Sequence, residues 1–82
     1  MDYTIRSADQ LKITLKSFRK AKKISQKELA ARLGITQQAM SSLEAQPHAA
    51  SIERLMQLLS VLGIDVVLRE RNLQKTTETG AW

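Results

Sequence analysis

The chain has 82 residues, a net charge of +5 and no cysteine, so it is read as one small domain with neither disulfides nor thiolate metal ligands. Its one histidine, His48, rules out the usual zinc spacings, and no cofactor is expected. No apolar run approaches the ~18 residues of a membrane span and the start of the chain lacks a signal-peptide core, so a cytoplasmic, nucleoid-associated chain with no membrane partner is expected.

The charge is unevenly placed. Residues 1–32 carry nine Lys/Arg against Asp2, Asp9 and Glu28, whereas residues 33–82 carry four against five. The excess rests mainly on Lys12, Lys16, Arg19, Lys20, Lys22, Lys23 and Lys27. Such a flank serves phosphate contact and steering toward nucleic acid, or is simply a solvated lysine face.

In chain order, Ser7 is a candidate N-cap with Asp9 in the first turn. Leu11, Leu15 and Phe18 follow at helical spacing, and the helix is expected to end near Lys22 or Lys23. Ser25 and Glu28 have capping-box spacing at the head of a second helix, whose inner face is Leu29, Ala30 and Leu33. Gly34 takes the left-handed position after it, Ile35 buries in the turn, and Thr36 caps a third helix from Gln37 to about Ala45. Pro47 stops that helix. Ser51 caps a fourth, with Ile52, Leu55, Met56, Leu59 and Leu62 as its apolar stripe and Gly63 closing it.

The period then changes. Ile64, Val66 and Leu68 alternate with Asp65, Val67 and Arg69, which is strand period two. A lone strand leaves its backbone groups unpaired. Tyr3-Thr4-Ile5 is one available partner, but the same strand from a second copy is the more economical one and gives a symmetric dimer. The domain reading is therefore 1–63 helical, 64–71 a dimerisation strand, and 72–82 a polar tail without fixed structure, ending in Trp82.

The stretch SQKELAARLGITQQAMSSLE, from Ser25 to Glu44, has the layout of a helix-turn-helix whose second helix enters a DNA major groove. With Gln37 at zero and about 100° per residue, Ser41, Gln38 and Ser42 fall within roughly 140° of it on one side. Met40, Leu43 and Ala39 fall on the other. Glutamine amides can pair bidentately with adenine, and the hydroxyls of Thr36, Ser41 and Ser42 can meet base edges or phosphates. Gln26 and Lys27, at the head of the second helix, are candidate phosphate ligands, with Ser51 and His48 weaker ones. For Ser25 and Ser51 the capping role is the simpler reading. A Ser25/His48/Glu44 catalytic set exists only on paper, and with no glycine-rich phosphate loop no enzyme activity and no small-molecule substrate are expected.

On these residues the chain resembles the Cro/repressor (Xre-type) helix-turn-helix family: Gln26, Glu28, Leu29, Ala30, Gly34 and Leu43-Glu44 match its pattern, and the likeness runs from about Leu15 to Gly63. The resemblance implies an all-α, lambda repressor-like domain of four main helices and a structural ion pair between Arg19 and Glu44. Within the family the chain is most similar to HipB antitoxins, which repress their own operon and bind the HipA kinase toxin. The segment from Glu44 to Leu68, with a strand straight after the fourth helix, and the terminal Trp82 carry that likeness. It implies a homodimer on an inverted-repeat operator of double-stranded DNA, strand pairing through Ile64, Val66 and Leu68, and docking of Trp82 into a HipA-like kinase. The set Thr36, Gln37, Gln38, Ser41 and Ser42 departs from HipB and looks more like phage repressors. That keeps a stand-alone phage-type or stress-response repressor open as the alternative.

Overall fold

The computed structural model describes residues 2–72. Four helices follow one another, α1 (Ala8–Ala21), α2 (Gln26–Leu33), α3 (Gln37–Ala45) and α4 (Ile52–Val61), with a 3₁₀ turn at Pro47–Ala49 between the last two. Each α-helix begins on a hydroxyl. Ser7, Ser25, Thr36 and Ser51 accept the backbone N–H of Gln10, Glu28, Ala39 and Arg54, at 3.0–3.1 Å. One orphan donor per helix is thereby satisfied. The capping box at Ser25 is one-sided: Glu28 holds Arg32 one turn on, at 2.6 Å, rather than reaching back.

Three of the helices end alike. After α1, α2 and α4 the N–H groups of Lys23, Gly34 and Gly63 bond to the carbonyls of Lys20, Ala31 and Ser60, and those of Ile24, Ile35 and Ile64 to Arg19, Ala30 and Leu59. This is the Schellman arrangement. The residue following each left-handed position is isoleucine in all three, and each packs against the core. Gly34 and Gly63 sit at φ +72, where glycine carries no Cβ penalty. Lys23 takes the same role at φ +58, a conformation that costs a side-chain-bearing residue about 1–2 kcal/mol. The first helix thus ends at Ala21, slightly earlier than its charge pattern suggests.

The core is Leu15, Leu29, Ala30, Met40, Leu43, Leu58, Leu59 and Leu62. The α4 stripe is rotated from the expected one. Leu58 is 1 % exposed, whereas Met56 is 49 % and Ile52 74 % exposed. Leu55, Leu58, Leu59 and Leu62 form the buried side; Met56 stands roughly 110° from its middle, and Ile52 lies in the first turn, beyond the packed layer. Ala39, expected on the inner face of α3, is exposed.

No strand forms among the described residues; residues 64–72 carry no regular structure. A strand needs a second segment to bond its backbone groups, and none is paired with residues 65–72 among the described residues. Val66, Val67 and Leu68 are exposed. The N-terminal arm approaches this segment through an exposed Asp2–Arg69 contact at 3.7 Å, and the Tyr3 ring meets Phe18 edge-on at 5.5 Å. Among the described residues the two segments form no β-ladder. Residues 73–82, with Trp82, lie outside the described residues. None of the described helices is long and apolar enough to cross a membrane.

Candidate nucleic-acid interface

The sequence around α3 produces a two-faced helix. Thr36 caps it, and Gln37, Gln38, Ser41 and Ser42 are all exposed. Met40 and Leu43 are buried on the opposite side, and Glu44, two turns after Gln37, is buried at the other end of the helix. Because Met40 and Leu43 are spaced for one helix face, they fix α3 against α2 and the rest of the core. The five polar side chains are therefore carried on a rigid support, outward and side by side. Their spacing lets neighbouring amide and hydroxyl groups meet successive groups on one edge of a duplex.

Glu44 is the buried charge of α3. It is 5 % exposed, and every bond it makes is to a cation or an amide. Arg19 Nε donates to Oε2 at 2.6 Å and Nη2 to Oε1 at 3.1 Å, a fork across α1 and α3. Arg19 Nη1 donates to the Ile24 carbonyl at 2.9 Å, so the same guanidinium secures the connection into α2. Gln26 Nε2 donates to Glu44 Oε1 at 2.8 Å. Burial pushes the Glu44 pKa up, but the bonds from Arg19 and Gln26 and the charges of Arg19 and Lys16 outweigh it and hold the carboxyl below its ordinary value of 4.5.

That depression sets a pH window. A carboxyl whose folded-state pKa lies below its unfolded one contributes stability that is fully present above the unfolded value. The contribution is lost as pH falls through the folded value. The stability gap between the native chain and Glu44→Gln should therefore be constant from neutral pH to about 4.5 and narrow below it. Urea unfolding midpoints of the two proteins across that range check it; a gap unchanged on the acid side would mean Glu44 is not the linked group.

The remaining candidates are distributed as follows. Lys27 is exposed next to Gln26 at the start of α2, and Gln26 itself is half-buried because of its bond to Glu44. Ser51 is exposed, with its hydroxyl occupied in capping α4. His48 is exposed in the 3₁₀ turn. Ser25 caps α2 and Glu44 is locked in its ion pair, so neither is disposed for catalysis with His48. The Gln26–Glu44 bond escaped the sequence reading: its partners are 18 positions apart, and no local pattern connects them.

The helix-turn-helix family model matches residues 15–68. Among curated proteins none matches the chain. Solved structures are similar to it over most of its length. A chain of a HipB–O1–O2 complex superposes with a TM-score of 0.76 at 28% identity, covering 84% of this chain and 100% of that one. A chain of a HipA–HipB–O2–O3 complex gives the same score and identity, with 97% of that chain covered. A HipB variant in complex with an O2 20mer gives 0.77 at 27% identity.

Proposed function

This chain belongs to the helix-turn-helix family, a DNA-binding family, and from that premise we propose that it is a homodimeric, sequence-specific antitoxin. In this reading it represses its own operon and binds a HipA-like serine/threonine kinase. The observation that supports this most is the likeness over 84% of the chain to HipB solved with O1 and O2, joined by the likeness to a complex that also holds HipA. The exposed polar face of α3 supplies the chemistry. Gln37 and Gln38 read adenine, Thr36, Ser41 and Ser42 complete the base-edge contacts, and Gln26 and Lys27 hold phosphates, assisted by Ser51 and His48.

Two copies related by a two-fold would place their α3 helices in successive major grooves ~34 Å apart, on an inverted repeat. The strand 64–71, with Ile64, Val66 and Leu68, pairs across that axis and so gains the second segment a strand needs. Deleting residues 64–71 should leave a monomer in analytical ultracentrifugation at concentrations where the full chain is dimeric. A deletion variant that stays dimeric would refute the pairing.

The two classes of DNA contact separate experimentally. Gln37→Ala should cost about 1–3 kcal/mol on the cognate duplex and little on a scrambled one. Lys27→Ala should weaken both equally and lower the salt slope by about one unit. Equal losses for Gln37→Ala on both duplexes would end its base-reading role. Trp82 is the proposed anchor in the kinase, a residue type common at interface hot spots. A pull-down from native lysate with the full chain and with a chain lacking Trp82 tests the partner. A kinase-fold protein retained by the full chain supports the antitoxin reading. DNA alone favours the stand-alone repressor, the alternative kept open by Gln37-Gln38.

A further inference from the structure

The phosphate candidate and the base-reading helix are joined by one buried atom. Glu44 Oε1 receives Gln26 Nε2 at 2.8 Å and Arg19 Nη2 at 3.1 Å. An ionised carboxylate is acceptor-only, so this bond determines which end of the Gln26 amide is nitrogen. The last torsion of a glutamine is otherwise broad, and its amide would turn freely. Glu44 is itself held by the Arg19 fork and buried near the end of α3. A rigid line therefore runs from the helix carrying Gln37 and Gln38, through Glu44, to the amide of Gln26. The second Nε2 hydrogen and Oε1 of that amide are not used in the Glu44 bond.

We infer that Glu44 is a positioning residue for DNA binding: it locks the phosphate-holding amide of Gln26 to α3, so that phosphate grip and base reading share one register. The inference rests on the proposed DNA-binding reading of Gln26. Phosphate contacts fix the register in which base contacts are made, so a loosened Gln26 weakens the grip and blurs sequence discrimination together. Arg19 acts one step further back, by holding the carboxylate in place.

Glu44→Asp is the informative variant. It keeps the charge for Arg19, whose long side chain can follow, and withdraws the carboxylate by one methylene from Gln26. The probe is the duplex that the native chain enriches from a randomised pool, with each backbone phosphate replaced in turn by a neutral methylphosphonate. In the native chain one replacement per half-site should cost about tenfold in affinity. The same replacement should cost nothing in Gln26→Ala or in Glu44→Asp, and Glu44→Asp should add no loss on top of Gln26→Ala. A purely structural Glu44 would lower the melting temperature yet keep native affinity and the native methylphosphonate pattern, and that result overturns the proposal. A native pattern in Gln26→Ala overturns it too, while leaving sequence-specific binding intact. If the native chain enriches no duplex, the DNA reading beneath it fails as well. Should Glu44→Asp not fold, side-chain ¹⁵N relaxation of the native chain decides: a Gln26 amide more rigid than those of Gln37 and Gln38 supports the lock, and one equally mobile refutes it.

Discussion

Arg19→Ala is expected to cost about 3–5 kcal/mol of folding stability. At roughly 0.05–0.15 kcal/mol per residue, 82 residues have about 4–12 kcal/mol in total, so a large part of the margin would go. The cost comes from what is left behind. Glu44, 5 % exposed, would retain only the Gln26 amide, and its charge would stay buried without a counter-ion. The Ile24 carbonyl would lose its guanidinium donor as well. The lost attraction itself is the smaller part, because taking two charges out of water offsets most of it. Replacing both partners, Arg19→Met with Glu44→Leu, should therefore recover most of the stability. Denaturant midpoints of the native chain, the single and the double variant at one protomer concentration give the comparison. A double variant as unstable as Arg19→Ala would contradict this account.

The second large effect is expected at Leu29. Its side chain is 0 % exposed and stands on α2, the helix packed most closely against α3. Leu29→Ala should cost about 2–5 kcal/mol, from lost transfer energy plus the cavity left behind. Met56, on the exposed side of α4, is the control. At 49 % exposure, Met56→Ala should cost well under half as much, since half of its surface is already in water. Thermal unfolding of both variants tests the ranking. Because Leu29 supports α3 from beneath, the folded fraction of Leu29→Ala should still prefer the cognate duplex; loss of preference with full folding would mean the core tunes recognition directly.

What the sequence made legible was mainly local. Ser7, Ser25, Thr36 and Ser51 each cap the helix that follows, because a short hydroxyl three residues before a free backbone N–H needs no distant partner. Gly34 and Gly63 mark helix ends for an equally local reason. Lys23 performs the same turn without glycine, and composition gives no sign of it. The α4 stripe was only half legible: leucines at 58, 59 and 62 and apolar residues at 52 and 56 all satisfy a loose helical period, and only packing decides which side faces in. The segment 64–71 has the alternation of a strand, but a strand is a property of two paired segments, and alternation in one of them does not supply the other. The charged network was the least legible part. Arg19 and Glu44 were paired through family resemblance, and Gln26 looked free for phosphate until its bond to Glu44 placed it between fold and site.

Selection from a randomised duplex pool shows whether α3 reads a two-fold symmetric DNA sequence. The native chain should enrich an inverted repeat whose half-sites lie one helical turn apart, about 34 Å centre to centre, with adenine at the positions Gln37 and Gln38 meet. In parallel, Gln37→Ala should enrich the same repeat with one of those positions relaxed. A pool that stays random, or a Gln37→Ala profile identical to the native one, would contradict the account.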